Sequence, residues 1–178
     1  NPIINLEGSG EPTMAKDLYD YVKAVKTRGL KCYMYCNGAN LRGDFMKKVI
    51  DAGIDFIRFS IIGYNSEVYK KWMNIDNFNL IIQNIKEAKN YVEKQKSNCQ
   101  LSTYHLITDN SKLSYEVDEY KKNVIKETQT LAYIWKMHNW SGNYENKNSR
   151  KKTERKSCGR PNAPELTVRA GGEKGRTA

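Results

Sequence analysis

The sequence predicts an α/β fold in which parallel strands alternate with helices. Five strand-like apolar runs begin near residues 3, 31, 55, 100 and 130, so their starts are 28, 24, 45 and 30 residues apart. Helical patterns lie between them, and repeated βα units imply a parallel sheet with right-handed crossovers. Five units are too few for a closed eight-stranded barrel, but they suit part of a larger or open barrel.

The individual elements follow from the spacing of apolar residues. A continuous apolar run such as 55–61 suits a strand that is buried on both faces of a sheet. Apolar residues at helical spacing predict four helices, of which the first can be capped near Thr13 and ends at Gly29. The predicted strands are 3–7, 31–36, 55–61, 100–107 and 130–137, and the predicted helices are about 13–28, 42–52, 76–96 and 112–127.

The loop after the first strand carries the strongest indication of a ligand site. A strand that opens through Gly8-Ser9-Gly10 onto a helix exposes backbone N–H groups at its C-terminal end, where α/β folds bind ligands. Glu11 adds a carboxylate to this loop, which suits a ligand with a cationic ammonium group. The alternative interpretation is that Glu11 is an acid at a helix N-terminus, where the helix dipole favours it.

Charge and hydropathy limit the possible partners. The net charge is +10, and residues 146–178 contribute +7 of it, from ten Lys/Arg and three Glu. We interpret this tail as a solvated basic linker or as a contact for an acidic partner. Nucleic-acid binding is disfavoured because no aromatic residue lies between the charged residues. No run approaches the roughly 18 apolar residues of a membrane span, and no signal peptide is visible.

The cysteines do not form a visible metal or disulfide framework. Cys32 and Cys36 lie on one face of a predicted strand, and position 39, where a third cluster ligand would be needed, is Ala. We therefore interpret these thiols, and Cys99, as core residues, and the cysteine usage fits a reducing cytoplasm. His105 and His138 have no Cys, Asp or Glu at ligand spacing on the same element, which disfavours metal ligation.

Three segments at successive strand ends carry motifs: Ser9-Gly10-Glu11-Pro12, Cys36-Asn37-Gly38 and Ser60-Ile61-Ile62-Gly63. In this order they resemble the GGEP, TNG and S-[IL]-D-G motifs of the radical S-adenosylmethionine (SAM) superfamily. Ser66-Glu67-Val68-Tyr69 is similar to the E-x-Y segment that follows the third motif. The sequence departs from the family's pattern at Ser9, Cys36 and Ile62, where the family has Gly, Thr and Asp.

The C-terminal part resembles the opening of an iron–sulfur extension called SPASM or twitch. Residues 132–140 are similar to the sixth barrel strand of members that carry this extension, and 155–161 and 166–172 are similar to its first segments. The resemblance implies two regions, a barrel portion over 1–142 and a basic linker with a truncated extension over 143–178. It also implies that Cys158 ligates an auxiliary iron–sulfur cluster.

The resemblance implies a partial (β/α)6 TIM-like barrel that binds SAM and a 4Fe–4S cluster. Whole enzymes of this kind reductively cleave SAM to a 5′-deoxyadenosyl radical, which abstracts hydrogen from a peptide, protein or sugar, with flavodoxin or ferredoxin as electron donor. The cysteine triad CxxxCxxC that holds the cluster is not in this sequence, so we expect a fragment that is inactive by itself. The SAM-binding residues that the resemblance implies are Ser9, Gly10, Glu11, Asn37, Ser60 and Met137.

Two other functions stay open at this point. One is a radical SAM protein without the extension, of the molybdenum-cofactor cyclase-like type. The other is a non-catalytic module whose basic tail holds RNA or another polyanion, for which a strongly salt-dependent affinity would be expected.

Overall fold

A computed structural model describes residues 2–8 and 10–136, together with the backbone of 167–168 and 174–175. The chain divides into two compact units, Asn1–Met137 and His138–Ala178. In the described residues no helix is both long and apolar enough to cross a bilayer.

The first unit is built on one sheet of five parallel strands, which confirms the predicted α/β fold. The strands follow one another across the sheet in chain order, so each βα unit places its strand beside the previous one. This sequential parallel order is that of a partial TIM-like barrel. The strands are β1 (Ile3–Leu6), β2 (Lys31–Cys36), β3 (Phe56–Ser60), β4 (Gln100–Ile107) and β5 (Leu131–Lys136).

The helices connect the strands and are shorter than the sequence predicts. The segment after β1 begins with a 3-10 turn, Pro12–Met14, and the regular helix starts only at Leu18. Gly29, as predicted, and Gly53 follow the first two helices, and both have positive φ. The helices are α1 (Leu18–Lys26), α2 (Gly43–Asp51), α3 (Ser66–Met73), α4 (Phe78–Lys94), α5 (Leu113–Tyr120) and α6 (Lys126–Thr128).

Helix α3 does not correspond to any of the four helices that the sequence predicts. Its N-cap, Asn65, accepts a hydrogen bond from the Val68 N–H at 2.9 Å. Only Tyr69 of its eight residues is buried, so the segment has too few core positions to show a helical period. Tertiary contacts, rather than an apolar stripe, place this helix.

The helical segment before β5 is interrupted by a wider turn. A 3-10 turn at Asn110–Lys112 leads into α5, a π-helical turn spans Lys121–Ile125, and α6 completes the segment. The π-helical turn points Asn123 at the preceding loops, where its Nδ2 donates to the Tyr64 carbonyl at 3.0 Å. The predicted helix 112–127 therefore exists, but with a distortion that joins it to the loop after β3.

The hydrophobic core lies between the helices and one face of the sheet. Alternate strand residues such as Met34, Ile57 and Phe59 are buried there with side chains from α1, α2 and α4. Cys32, Cys36 and Cys99 are free and buried, as the sequence predicts. Burial raises the pKa of Cys32 to about 11 and that of Cys99 to about 12, so these thiols stay protonated at neutral pH.

The second unit is described only by two short strands. Thr167–Val168 pairs antiparallel with Lys174–Gly175. The first of these strands lies in the segment 166–172 that resembles part of the extension. The predicted boundary between residues 142 and 143, and Cys158, lie outside the described residues.

Candidate functional site

The predicted site residues that the structure describes lie at one edge of the sheet. In a parallel sheet all C-terminal strand ends face the same side. Gly10 and Glu11 follow β1, Asn37 follows β2, and Ser60 is the last residue of β3. Ser9 and Met137, which we also predict to contact SAM, lie outside the described residues, although Met137 comes directly after the last residue of β5.

Glu11 joins the loops after β1 and β2. Its Oε1 accepts hydrogen bonds from the Thr13 backbone N–H at 3.1 Å and the Thr13 hydroxyl at 2.6 Å. Its Oε2 accepts from the Asn37 N–H at 2.7 Å. The acid therefore does cap a helical turn, as the alternative interpretation predicted, but it also spans two strand ends. A carboxylate offers about four acceptor positions, so one remains for another donor.

The loop after β2 is held in place by α4. Asn84 is 2% exposed, and its Nδ2 donates to the carbonyls of Gly38 at 2.8 Å and Ala39 at 3.1 Å. Gly38 has a φ of +79°, and a Cβ added there would lie 2.8 Å from Cδ1 of Phe59. Glycine is thus needed for both conformation and space. These contacts orient the Asn37 N–H toward Glu11.

Ser60 offers an unused polar group at the same edge. It is partly exposed and lies opposite Tyr104 of β4 in the sheet register. Within the described residues its hydroxyl makes no hydrogen bond, so a ligand can take both its donor and its acceptor positions. Glu11 after β1 and Ser60 at the end of β3 thus provide a negative charge and a neutral hydroxyl at the same edge of the sheet, with β2 between them.

The loop after β3 is fixed by a histidine that sequence reasoning did not connect to the site. The Gly63 N–H donates to Nδ1 of His105 at 3.2 Å. The same Nδ1 lies 3.3 Å from the Ile61 carbonyl, and the other ring nitrogen, Nε2, lies 3.4 Å from Oε2 of Glu116. The ring also stacks on Tyr120, with centroids 4.6 Å apart. A buried polar cluster therefore supports the segment that follows Ser60.

Glu116 is the anchor of this cluster. It is 1% exposed and accepts hydrogen bonds from the Thr108 N–H and hydroxyl and from the Asp109 N–H, at 2.7–2.8 Å. Burial raises its pKa, but the hydrogen bonds from His105, Thr108 and Asp109 outweigh burial and hold the pKa below the ordinary range. The carboxylate is therefore ionised at neutral pH.

The alternation of β4 could have revealed this pair. His105 has the same parity as Thr103 and Ile107, which places it on the helix-covered face of the sheet. An imidazole on that face needs a polar partner. The acidic residues of the following helix were the candidates, and the structure selects Glu116.

The described residues do not contain a metal centre. No group of three or more His, Cys, Asp or Glu side chains in this part of the chain could hold a metal ion. The three described thiols are buried and protonated. The ligands of a SAM-cleaving cluster are therefore not found among residues 2–8 and 10–136.

A groove of about 590 Å³ opens on the helical side, between α3, α4 and the π-helical turn. It is lined by residues such as Phe78, Lys122 and Glu127. None of the predicted SAM-contacting residues lines this groove, so it is distinct from the strand-end site.

The parallel sheet and the loops at its edge define an α/β protein of the radical SAM type. The profile of the Radical SAM superfamily matches residues 8–111, more than half of the chain. The chain belongs to this superfamily. The match includes the three strand-end loops that carry Gly10, Glu11, Asn37 and Ser60.

Curated relatives share about a third of their residues with this chain over short segments. The Probable GTP 3′,8-cyclase of Thermococcus kodakarensis is 32% identical over 89 residues, which are 50% of this chain and 29% of that protein. A protein of the same name from Metallosphaera sedula is 31% identical over 81 residues, 46% of this chain and 26% of its own length. An uncharacterized protein of Methanocaldococcus jannaschii is 33% identical over 92 residues, 50% of this chain and 32% of its own length.

Solved structures confirm the fold at low sequence identity. SuiB of Streptococcus suis, in a complex with the precursor peptide SuiA, superimposes with a TM-score of 0.62 and 13% identity. The superposition covers 83% of this chain and 31% of that chain. TYW1 with a lysine-pyruvate adduct gives a TM-score of 0.55 at 15% identity, over 76% of this chain and 42% of that chain. At such identities the similarity concerns the fold alone.

Proposed function

We propose that this chain forms part of an enzyme that reductively cleaves SAM and uses the product to abstract hydrogen from a substrate. Membership of the superfamily supports the use of SAM and a 4Fe–4S cluster. The observation that carries the proposal is the Glu11 carboxylate, which bridges the loops after β1 and β2 at the sheet edge where Ser60 ends β3.

The residues at this edge fit the polar groups of SAM. Glu11 has an acceptor position left for an ammonium group, and Ser60 has a hydroxyl for a carboxylate. Gly10, which has a φ of +148° and open space where a Cβ would lie, lets a ligand approach the backbone. By resemblance to the family's motifs, Ser9 and Asn37 complete the methionine end, and Met137 contacts adenine. The cluster supplies the electron for cleavage.

Replacing Ser60 by Ala in the complete protein should weaken SAM binding about ten- to hundredfold, because one hydrogen bond to a charged group is lost. Glu11→Gln should weaken it at least as much, since the carboxylate charge disappears. The measurements are the SAM dissociation constant and the 5′-deoxyadenosine that forms after anaerobic reconstitution and reduction.

A matched control is Glu87→Gln, which removes an exposed acid from α4, away from the motif segments. Because Glu11 also caps a turn, the thermal unfolding of each variant is measured in parallel. If Ser60→Ala and Glu11→Gln both bound SAM as the parent does, while remaining folded, the proposed site would be wrong.

A second candidate function is conversion of GTP. The names of two relatives, each 31–32% identical over about half of this chain, favour it. GTP added to the same assay separates the candidates: a GTP-converting enzyme consumes GTP in step with 5′-deoxyadenosine, whereas an enzyme for a peptide, protein or sugar leaves GTP intact.

An auxiliary cluster bound by Cys158 is a further part of the proposal, and it rests on the sequence. Cys158 lies in a Cys-Gly-Arg-Pro segment after a charged linker, whereas the three described thiols are buried in the first unit. Cys158→Ala in the complete protein should therefore lower the iron content by about one cluster, whereas Cys99→Ala should not. Unchanged iron and absorbance in Cys158→Ala would exclude the role.

A further inference from the structure

The face of the sheet opposite the helices carries a group of aromatic side chains around one arginine. We name it the aromatic face and define it by Tyr33, Tyr35, Phe56, Arg58, Tyr104, Tyr133 and Trp135. These residues have the opposite strand parity to the core residues and are absent from the core cluster. Tyr133 and Trp135 are 36% and 55% exposed. A barrel lumen would be lined by this face.

Arg58 is held at the centre of the aromatic face by rings rather than by acids. Its Cζ lies 4.0 Å from the ring centroid of Tyr133, 4.8 Å from that of Tyr35 and 5.3 Å from that of Phe56. Such stacking orients a guanidinium but uses none of its five N–H donors. Within the described residues Arg58 forms no salt bridge and no hydrogen bond, and its buried Nε has no acceptor.

A second buried polar group without a hydrogen-bond partner lies beside Arg58. Ser102 of β4 is directly opposite Arg58 in the sheet register, is 0% exposed, and has a hydroxyl without a partner. Buried polar groups are almost always paired in proteins. Two unpaired groups at adjacent register positions therefore indicate that a polar ligand atom belongs there.

The neighbouring phenols are donors as well. Burial raises the pKa of Tyr35 and of Tyr104, and the nearby Arg58 charge only partly opposes this effect. Both hydroxyls thus keep their protons at neutral pH. Glu7 also acts on Tyr35 and raises its pKa. The Tyr35 and Tyr104 hydroxyls therefore add hydrogen-bond donors to the surroundings of the guanidinium.

We propose that Arg58 binds an anionic group of the substrate, a phosphate or a carboxylate, on the aromatic face one layer below Ser60. The proposal rests on the proposed function, because it places substrate beside the SAM edge. The register supports the placement: Arg58 precedes Ser60 by two residues on β3, so both side chains leave the same face of the strand. A guanidinium binds either anion through two parallel N–H bonds.

The test measures anion binding directly and needs no turnover. The complete protein is titrated calorimetrically with pyrophosphate and, separately, with citrate at constant ionic strength. Binding of pyrophosphate indicates a phosphate site, and binding of citrate indicates a carboxylate site. Arg58→Met should weaken that binding about ten- to hundredfold, and Arg58→Lys less. The matched control is Arg28→Met, which removes one charge from an exposed position just after α1.

The outcomes separate this proposal from the proposed function. SAM cleavage without substrate should persist in Arg58→Met, because Arg58 forms no hydrogen bond or ion pair with Gly10, Glu11, Asn37 or Ser60, the predicted SAM residues that the structure describes. A parent protein that binds neither anion, or an Arg58→Met variant that binds as the parent does, overturns the anion site even if SAM is cleaved. If Arg58→Met does not fold, Tyr104→Phe takes its place: unchanged anion binding would then count against the site, and weaker binding would support it.

Discussion

Replacing Glu116 by Ala is expected to lower the free energy of unfolding by about 3–5 kcal/mol, the usual cost of removing one partner from a buried charged network. The Thr108 N–H and the Asp109 N–H would lose their acceptor, and the buried His105 Nε2 would lose the carboxylate that lies 3.4 Å away. Chemical denaturation, followed by circular dichroism, measures the change.

Glu127→Ala provides the matched control. Glu127 pairs with Lys86 at 3.1 Å, but both side chains are about half exposed, so its removal should cost no more than about 1 kcal/mol. An equal loss for the two substitutions would show that the buried cluster contributes nothing particular to stability.

The same cluster predicts that the stability of the protein falls in acid. The folded-state pKa of Glu116 lies below its ordinary value of 4.5. The carboxylate therefore contributes stability above pH 4.5, and this contribution is lost as the pH falls through the folded-state pKa. Other carboxylates also titrate in this acidic pH range. The quantity to measure is therefore the difference in the free energy of unfolding between the parent and Glu116→Gln. That difference should be largest at neutral pH and shrink in acid; a constant difference would contradict the assignment.

Replacing Gly63 by Ala is expected to be nearly as damaging, at about 2–6 kcal/mol. Gly63 has a φ of +135°, which side-chain-bearing residues rarely adopt, and an added Cβ would lie 2.6 Å from the Tyr69 N and 2.7 Å from the Tyr69 Cα. These are backbone atoms of α3, so they cannot move aside as a flexible side chain would. The loop after β3 would have to shift, and its bond to His105 would break.

Gly29→Ala isolates the contribution of backbone conformation. Gly29 has a φ of +67° but no atom within 4 Å of an added Cβ, so only the left-handed conformation costs energy, about 1–2 kcal/mol. Thermal and denaturant unfolding of both variants measure the contrast. If Gly63→Ala were as mild as Gly29→Ala, the close packing of the loop against α3 would be wrong.

The apolar runs of the sequence predicted the strands of the sheet and their bounds. Strand bounds agree within one residue, because each apolar run is flanked by a glycine-containing loop or a charged helix end and is too short for a helix. The helix that was missed, α3, buries only Tyr69 and so lacks a period. The first helix was predicted too early, since Pro12–Met14 forms a separate 3-10 turn that Glu11 caps.

The part of the candidate site that carries sequence motifs was predictable. The strand-end positions of Gly10, Glu11, Asn37 and Ser60 follow from the order of βα units, because parallel strands end at the same edge. Their roles toward SAM stay predictions. The pairing of His105 with Glu116 was only partly predictable: the alternation of β4 places His105 on the helix-covered face, but the sequence does not show which acid of the following helix reaches it.

The sequence by itself determined the class of fold, the family and the edge that we predict to bind a ligand, since these depend on periodicity and on short motifs in chain order. Only the tertiary structure decided which polar groups are hydrogen-bonded. It assigned three donors to Glu11, buried Glu116 beneath His105, and left Arg58 among aromatic rings without an ion pair in the described residues. Pairing of this kind depends on distances between elements far apart in the chain, which composition and spacing do not encode.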